Sequence, residues 1–205
     1  MWKFDEKIAS IFASHARQHI PNYEQVINQC IDLCKSYDKN SKIIDVGCAV
    51  GETLIALKNS GFTNLHGVDS SKAMLEKCDG NGFHLTLSDS FPNGLYDIVI
   101  MNWTLHFIKE KIKYITDIYH SLPDGGTMII TDKTNTDELP LKYYHLYKSR
   151  MGVSADDIIT KANSVKDIMY INDIEWYLNS FKSIGFSKIY IMNAHWCFTS
   201  FVCIK

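Results

Sequence analysis

The chain has 205 residues, 46% hydrophobic and 21% charged, which suits one α/β domain with a sizeable core and is tight for two. Its 21 Lys+Arg against 23 Asp+Glu give a net charge of −2, with arginine only at Arg17 and Arg150. Arginine is the usual reader of phosphate and guanine, so direct nucleic-acid recognition is not expected. The start, from Met1 to Lys7, is charged and lacks an apolar signal core, and no apolar run is long enough to span a membrane; a cytoplasmic protein is expected.

Ile8, Ile11 and Phe12, then Val26, Ile27, Cys30, Ile31 and Cys34, recur at helical spacing over the first forty residues, with Pro21 placed to start the second helix. Strands and helices then alternate. Residues 42–46 read as a buried strand and 52–58 as a helix stopped near Gly61. Residues 64–68 read as a strand ending at Asp69, and Ser70 or Ser71 caps a helix through Cys78. Residues 83–87 are a third strand. Residues 96–101 are a fourth, apolar on both faces as a central parallel strand requires. A helix over 109–121 stops at Pro123-Asp124-Gly125-Gly126, and 127–131 is the fifth strand. A polar, mostly helical stretch, 137–171, precedes a last helix over 173–184 that Gly185-Phe186 ends. Residues 187–192 and 196–204 look like a hairpin turning at Asn193-Ala194-His195. The rhythm predicts a mostly parallel sheet with helices on both faces. The six cysteines form no C-x-x-C pair, so zinc and redox motifs are weak readings and no metal is expected. Cys30 and Cys34, one helical turn apart, read as small buried thiols in the reduced state.

The strongest chemical signal is Asp45-Val46-Gly47-Cys48-Ala49-Val50-Gly51, leaving a strand and entering a helix. Its glycines let the backbone bend sharply and approach a ligand at the carboxyl end of the first strand, where open α/β sheets bind ligands. Asp69, at the end of the second strand, is placed to accept hydrogen bonds from both hydroxyls of a ribose. A nicotinamide dinucleotide would use such an acid too. However, the spacing is G-x-x-x-G rather than G-x-G-x-x-G, and Asp45 would repel a pyrophosphate. A carboxylate there suits a cationic ligand, such as the amino acid part and sulfonium of S-adenosylmethionine. Asp89, after the third strand, can accept from an adenine amino group. Asn102, after the fourth, faces the crevice, and Tyr23 and Trp103 are placed near the ligand. His106 is a candidate general base, although a histidine at the start of a helix also serves structure alone.

On these residues the chain resembles the class I S-adenosylmethionine-dependent methyltransferases. The resemblance implies the Rossmann-like methyltransferase fold: a mostly parallel seven-stranded sheet with an antiparallel C-terminal hairpin, under a helical lid (residues 1–40) and a helical insertion (137–171), all in one domain. A closer likeness, to the carboxy-S-adenosylmethionine synthases, rests on Trp2-Lys3-Phe4-Asp5-Glu6, Ile20-Pro21-Asn22-Tyr23, Asp45-Val46-Gly47-Cys48, Met101-Asn102-Trp103-Thr104-Leu105 and Ala194-His195-Trp196-Cys197-Phe198. That family carboxylates S-adenosylmethionine with prephenate, by carbon dioxide loss and capture by a sulfonium ylide, for wobble-uridine modification of tRNA. It implies cofactor roles for Tyr23, Gly47, Cys48, Ala49, Asp69, Ser70, Asp89, Ser90 and Asn102, and a homodimer. One departure stands out. The family arginine that holds the transferred carboxylate falls on Ser180, counted back from Gly185-Phe186, and a hydroxyl does not replace a bidentate guanidinium.

Three readings follow: a methyltransferase acting on a small molecule; a carboxy-S-adenosylmethionine synthase that holds its carboxylate with Lys148, Arg150 or Lys182; and a non-catalytic cofactor-binding protein. Methyl transfer leads, because Ser180 removes the residue most specific to the synthase. The expected cofactor is S-adenosylmethionine, or its carboxylated form in the second reading.

Overall fold

Alternating apolar side chains decide how the sheet is covered. In a computed structural model describing residues 5–78, 80–134 and 136–205, five strands run parallel: β1 (Ile43–Val46), β2 (Leu65–Asp69), β3 (His84–Leu87), β4 (Ile98–Asn102) and β5 (Thr127–Lys133). β6 (Lys188–His195) and β7 (Phe198–Ile204) complete a seven-stranded sheet in the order β3-β2-β1-β4-β5-β7-β6. β7 is antiparallel to both β5 and β6. The helices are α1 (Glu6–His19), α2 (Tyr23–Cys34), α3 (Glu52–Asn59), α4 (Lys72–Cys78), α5 (Lys111–Ser121), α6 (Glu138–Arg150), α7 (Ala155–Val165) and α8 (Ile174–Ile184).

Ile43, Ile98, Ile100 and Ile129 point to one face of the sheet and pack with α2 and α3 through Val26, Ile27, Cys30, Leu54 and Leu57. Ile44, Val46, Val99, Met101 and Ile130, one position out of step, point to the other face and pack with α5 and α8 through Ile115, Ile118, Tyr177 and Phe181. This is the period of two that a strand imposes, with both faces covered as parallel sheets require. The fold is the predicted Rossmann-like one.

Two local readings are corrected, and a third is narrowed. Pro21 does not start the second helix. Asn22, in the left-handed region at φ 60°, precedes Tyr23, so the proline belongs to the turn between α1 and α2. The hairpin does not turn at residues 193–195. Pairing continues to His195↔Phe198 across a bulge between Ile191 and Asn193, and Trp196, at φ 52°, lies at the turn. A bulge adds a residue and carries the strand further than turn-forming side chains suggest. Of the two candidate caps, Ser71 is the one that holds α4, its hydroxyl accepting from the Met74 amide (3.2 Å). Trp2, Lys3 and Phe4 of the matched N-terminal segment lie outside the described residues.

Candidate functional site

Strand order reverses between β1 and β4, and the loops leaving their carboxyl ends part there to form a crevice. A cleft of about 1080 Å³ lies over that point. Tyr23, Asp45, Gly47, Cys48, Ala49, Asp69, Ser70, Asp89, Ser90, Asn102, Trp103 and His106 all line it. Gly51 does not. It stands at the N-cap of α3 at φ 84°, where a Cβ would come within 2.4 Å of Cys78 Sγ. Its part is to turn the chain into the helix.

The glycine loop is tied to both neighbouring strands. Gly47 and Cys48 amides donate to Val68 O (2.8 and 3.1 Å). Thr104 Oγ1 donates to the Val46 or Asn102 carbonyl (3.1 and 3.0 Å) and presses on Gly47, where a Cβ would meet it at 2.1 Å. Asp69 accepts from the amides of Ala49 (2.9 Å) and Ser71 (2.8 Å), which fixes its carboxylate and still leaves lone pairs for hydroxyl donors. Burial raises its pKa against those bonds. Asp45 is 3% exposed. Desolvation, then the nearby Cys78 and Asp69, hold its pKa well above the carboxylate range, opposed by a hydrogen bond from Thr53. A cationic group in the cleft would reverse that shift.

Two orphaned polar atoms face this problem from the other side. Asn102 Nδ2 donates to Cys30 Sγ (3.5 Å), but its Oδ1 is buried without a partner among the described residues, as is Trp103 Nε1. Buried unpartnered atoms at a cleft mark places that a ligand satisfies. Tyr23 stacks on Trp103, centroids 4.7 Å apart, and its hydroxyl donates to Glu52 Oε2 (2.8 Å). Glu52 Oε1 also accepts from Arg17 Nη2 (2.8 Å), so α1, α2 and α3 meet on one carboxylate at the edge of the cleft. Asp89 and Ser90 are exposed at the rim and bonded to each other (3.1 Å). The residues present therefore fit a ligand with ribose hydroxyls at one point and a cationic centre at another.

His106 sits in a single 3-10 turn, Leu105–Phe107, and is buried. Its Nδ1 is bonded to Asp132 Oδ1, whose other oxygen accepts from the Tyr177 hydroxyl. Nε2 is thus the ring nitrogen left without a bond to any described residue. Sequence reasoning missed Asp132, Tyr177 and Glu52, and of a basic wall of the cleft it named Lys148 alone. That wall holds His15, His19, Lys133, His145, Lys148 and Lys161. Of the three cations named for the synthase reading, Lys148 lines the cleft, whereas Arg150 and Lys182 are exposed and do not. Ser180 is 6% exposed within α8 and does not line it either.

The span 25–157 matches the model of a family described as a methyltransferase domain. The carboxy-S-adenosyl-L-methionine synthase of Haemophilus ducreyi is 29% identical over 98% of this chain and 91% of its own. That of Helicobacter hepaticus is 28% identical over 93% and 89%. Among solved structures, the magnesium protoporphyrin IX methyltransferase of Synechocystis, with bound SAH (S-adenosylhomocysteine), aligns at TM-score 0.67 and 15% identity, covering 92% of this chain and 86% of its own. An S-adenosylmethionine-dependent methyltransferase of Mesorhizobium loti aligns at 0.63 and 13%, covering 88% and 98%. At those identities the structures speak for the fold. The family model spans well over half of the chain, which therefore belongs to the methyltransferase-domain family and is an S-adenosylmethionine-dependent transferase.

Proposed function

We propose that this enzyme moves the methyl group of S-adenosylmethionine onto a small-molecule nucleophile, with His106 as the general base. The observation that carries the reading is the buried row Tyr177–Asp132–His106, which ends on the same cleft as the glycine loop. When bound, the cofactor supplies a methyl group made electrophilic by its sulfonium. Asp69 would hold the ribose hydroxyls and Asp89, beside Ser90, the adenine amino group. Asp45 and the orphaned Asn102 Oδ1 would take the amino group, with the backbone of Gly47, Cys48, Ala49 and Ser70 shaping the wall. The stacked Tyr23 and Trp103 rings give a cation an aromatic wall. Asp132 fixes the histidine tautomer so that Nε2 takes the acceptor's proton. The cation-suited floor and the positioned base support in-line displacement by orientation and desolvation.

SAH release across a panel of small acceptors tests the reading. With a productive acceptor, His106→Gln is expected to lower kcat by about 10²–10⁴-fold and to leave SAH affinity, measured by calorimetry, unchanged. Unchanged kcat would remove the histidine from the mechanism.

A second reading is carboxylation of S-adenosylmethionine with prephenate. It is favoured by relatives of that name matching over nearly the whole chain and by Lys148 in the cleft wall, a cation that the Ser180 position no longer supplies. Mass spectrometry separates the two. A product heavier than S-adenosylmethionine by one CO2, formed only with prephenate, supports carboxylation; SAH without it supports methyl transfer. The family resemblance also supports a cytoplasmic homodimer, which light scattering on the purified chain would test.

A further inference from the structure

The basic wall gathers from four elements: His15 and His19 of α1, Lys133 of β5, His145 and Lys148 of α6, and Lys161 of α7. Lys148 is only 4% exposed. Its Nζ lies 4.1 Å from the centroid of the Tyr144 ring, and Lys133 Nζ lies 5.1 Å from the same centroid. Two ammonium groups therefore share one buried aromatic ring, which is itself held by its hydroxyl on His19 O (2.9 Å). Among the described residues, neither Lys133 nor Lys148 has a carboxylate within ion-pair distance. Asp45 and Asp69, in β1 and β2, Glu52, opening α3, and Asp89, after β3, line the cleft too, but at the cofactor end; the exposed Glu110 stands at the N-cap of α5, and the acid Asp117 already holds Lys113 (2.6 Å).

An ammonium group out of water without a counter-charge is costly, and an aromatic ring offsets only part of that. The strain shows in Lys148, which burial, then repulsion by Lys133, brings down to about 8. An apolar side chain would close the same wall without this penalty, and groups kept at such a cost to stability are characteristic of binding sites.

We propose that this end of the cleft anchors the acceptor, and that it takes an oxyanion group, carboxylate or phosphate, on Lys133 and Lys148 with Lys161 lining the same wall. The inference rests on the transferase reading of the cleft and adds the acceptor's class, a small acid. Its anionic end lies on the basic wall and its nucleophilic end faces the methyl group.

The test titrates the protein, with and without saturating SAH, with malonate, inorganic phosphate and uncharged malonamide, read by calorimetry and thermal shift. At least one anion is expected to bind and raise Tm, and malonamide to do neither. Lys148→Met and Lys133→Met are each expected to weaken anion binding by about tenfold or more with SAH affinity retained. Lys148→Met should also melt above the wild type when no ligand is present, which separates a lost site from a lost fold. Preference for malonate names a carboxylic acid acceptor and preference for phosphate a phosphorylated one; either supports the site. No anion binding in either state, or equal binding by wild type and both variants, overturns it. Failure to bind SAH would overturn the transferase reading instead.

Discussion

Gly47 meets the tightest steric demand at the cleft. It is at φ +69°, and a Cβ there would lie 2.1 Å from Thr104 Oγ1, which is itself tied to the backbone of β1 and β4. Gly47→Ala therefore combines a left-handed backbone with a clash that cannot relax cheaply. It is expected to cost about 1–3 kcal/mol of stability and to weaken SAH binding, measured by denaturant unfolding and calorimetry. A neutral effect on both would show that the loop rearranges. Asp69 offers a cleaner separation, because its oxygens serve the Ala49 and Ser71 amides and, in our reading, the ribose as well. Asp69→Asn keeps one acceptor and removes the charge. It is expected to lower SAH affinity by about tenfold or more with a smaller change in Tm. Both residues were legible in the sequence because a glycine turn and a strand-end acid are local signs. The orphaned Asn102 Oδ1 was not: only the packing against Cys30 shows which of its atoms has been provided for.

At the scale of elements, α6 is tied to α1. Tyr144 and Tyr147 of α6 reach the end of α1, the Tyr147 hydroxyl donating to Arg17 O (2.6 Å) and the Tyr144 hydroxyl to His19 O (2.9 Å). On the other side Glu52, at the start of α3, receives both Arg17 and Tyr23. Glu52→Gln keeps the side chain's length and removes the charge that joins α1 and α2 to α3. Faster SAH dissociation and faster amide exchange in α1 are expected, with the exchange of β1 and β4 unchanged. Equal protection of α1 in the variant would mean that its bonds to α6 suffice to hold it. The sequence marked the helical stretches at 1–40 and 137–171 but not their joining, since tyrosines spaced along α6 look the same whether they meet solvent or another helix.

For the whole molecule, the basic wall couples stability to pH. Lys148 and Lys161 titrate at about 8 and about 6 in the folded chain against 10.5 for a free lysine. Between those values the unfolded chain binds more protons, so these lysines make stability rise with pH. His15 and His19, which face them from α1, are lowered to about 4 and about 3, chiefly by burial, and act in the same direction below 6.5. Lys133 and His145 are lowered as well, whereas Cys197 favours the charged form of Lys148 and Asp157 that of His19. Asp45 and Asp69, with raised values, act oppositely, losing stability as pH climbs through their folded pKa. Comparison with Lys161→Met and Lys148→Met isolates the lysines. Between about pH 6.5 and about pH 8.5 the wild type is expected to gain more unfolding free energy than either variant. Parallel pH profiles would contradict the assignment.

The strands, the two-faced burial, the glycine loop and Asp69 could all be read from the chain alone. Each depends on a period of two, on a backbone angle that favours glycine, or on a residue's place at the end of its own strand. What the tertiary structure decided depends on meetings across distance. The hairpin turned at Trp196 because a bulge extended its pairing, and Gly51 served α3 because Cys78 lay against it. Ser180 proved to lie away from the cleft that its counterpart was expected to serve. His106 acquired Asp132 and Tyr177 from β5 and α8, and three lysines from β5, α6 and α7 came to line one wall. A side chain's charge is written in the sequence, but the neighbours that leave it paired or exposed to a ligand are set only when the elements pack.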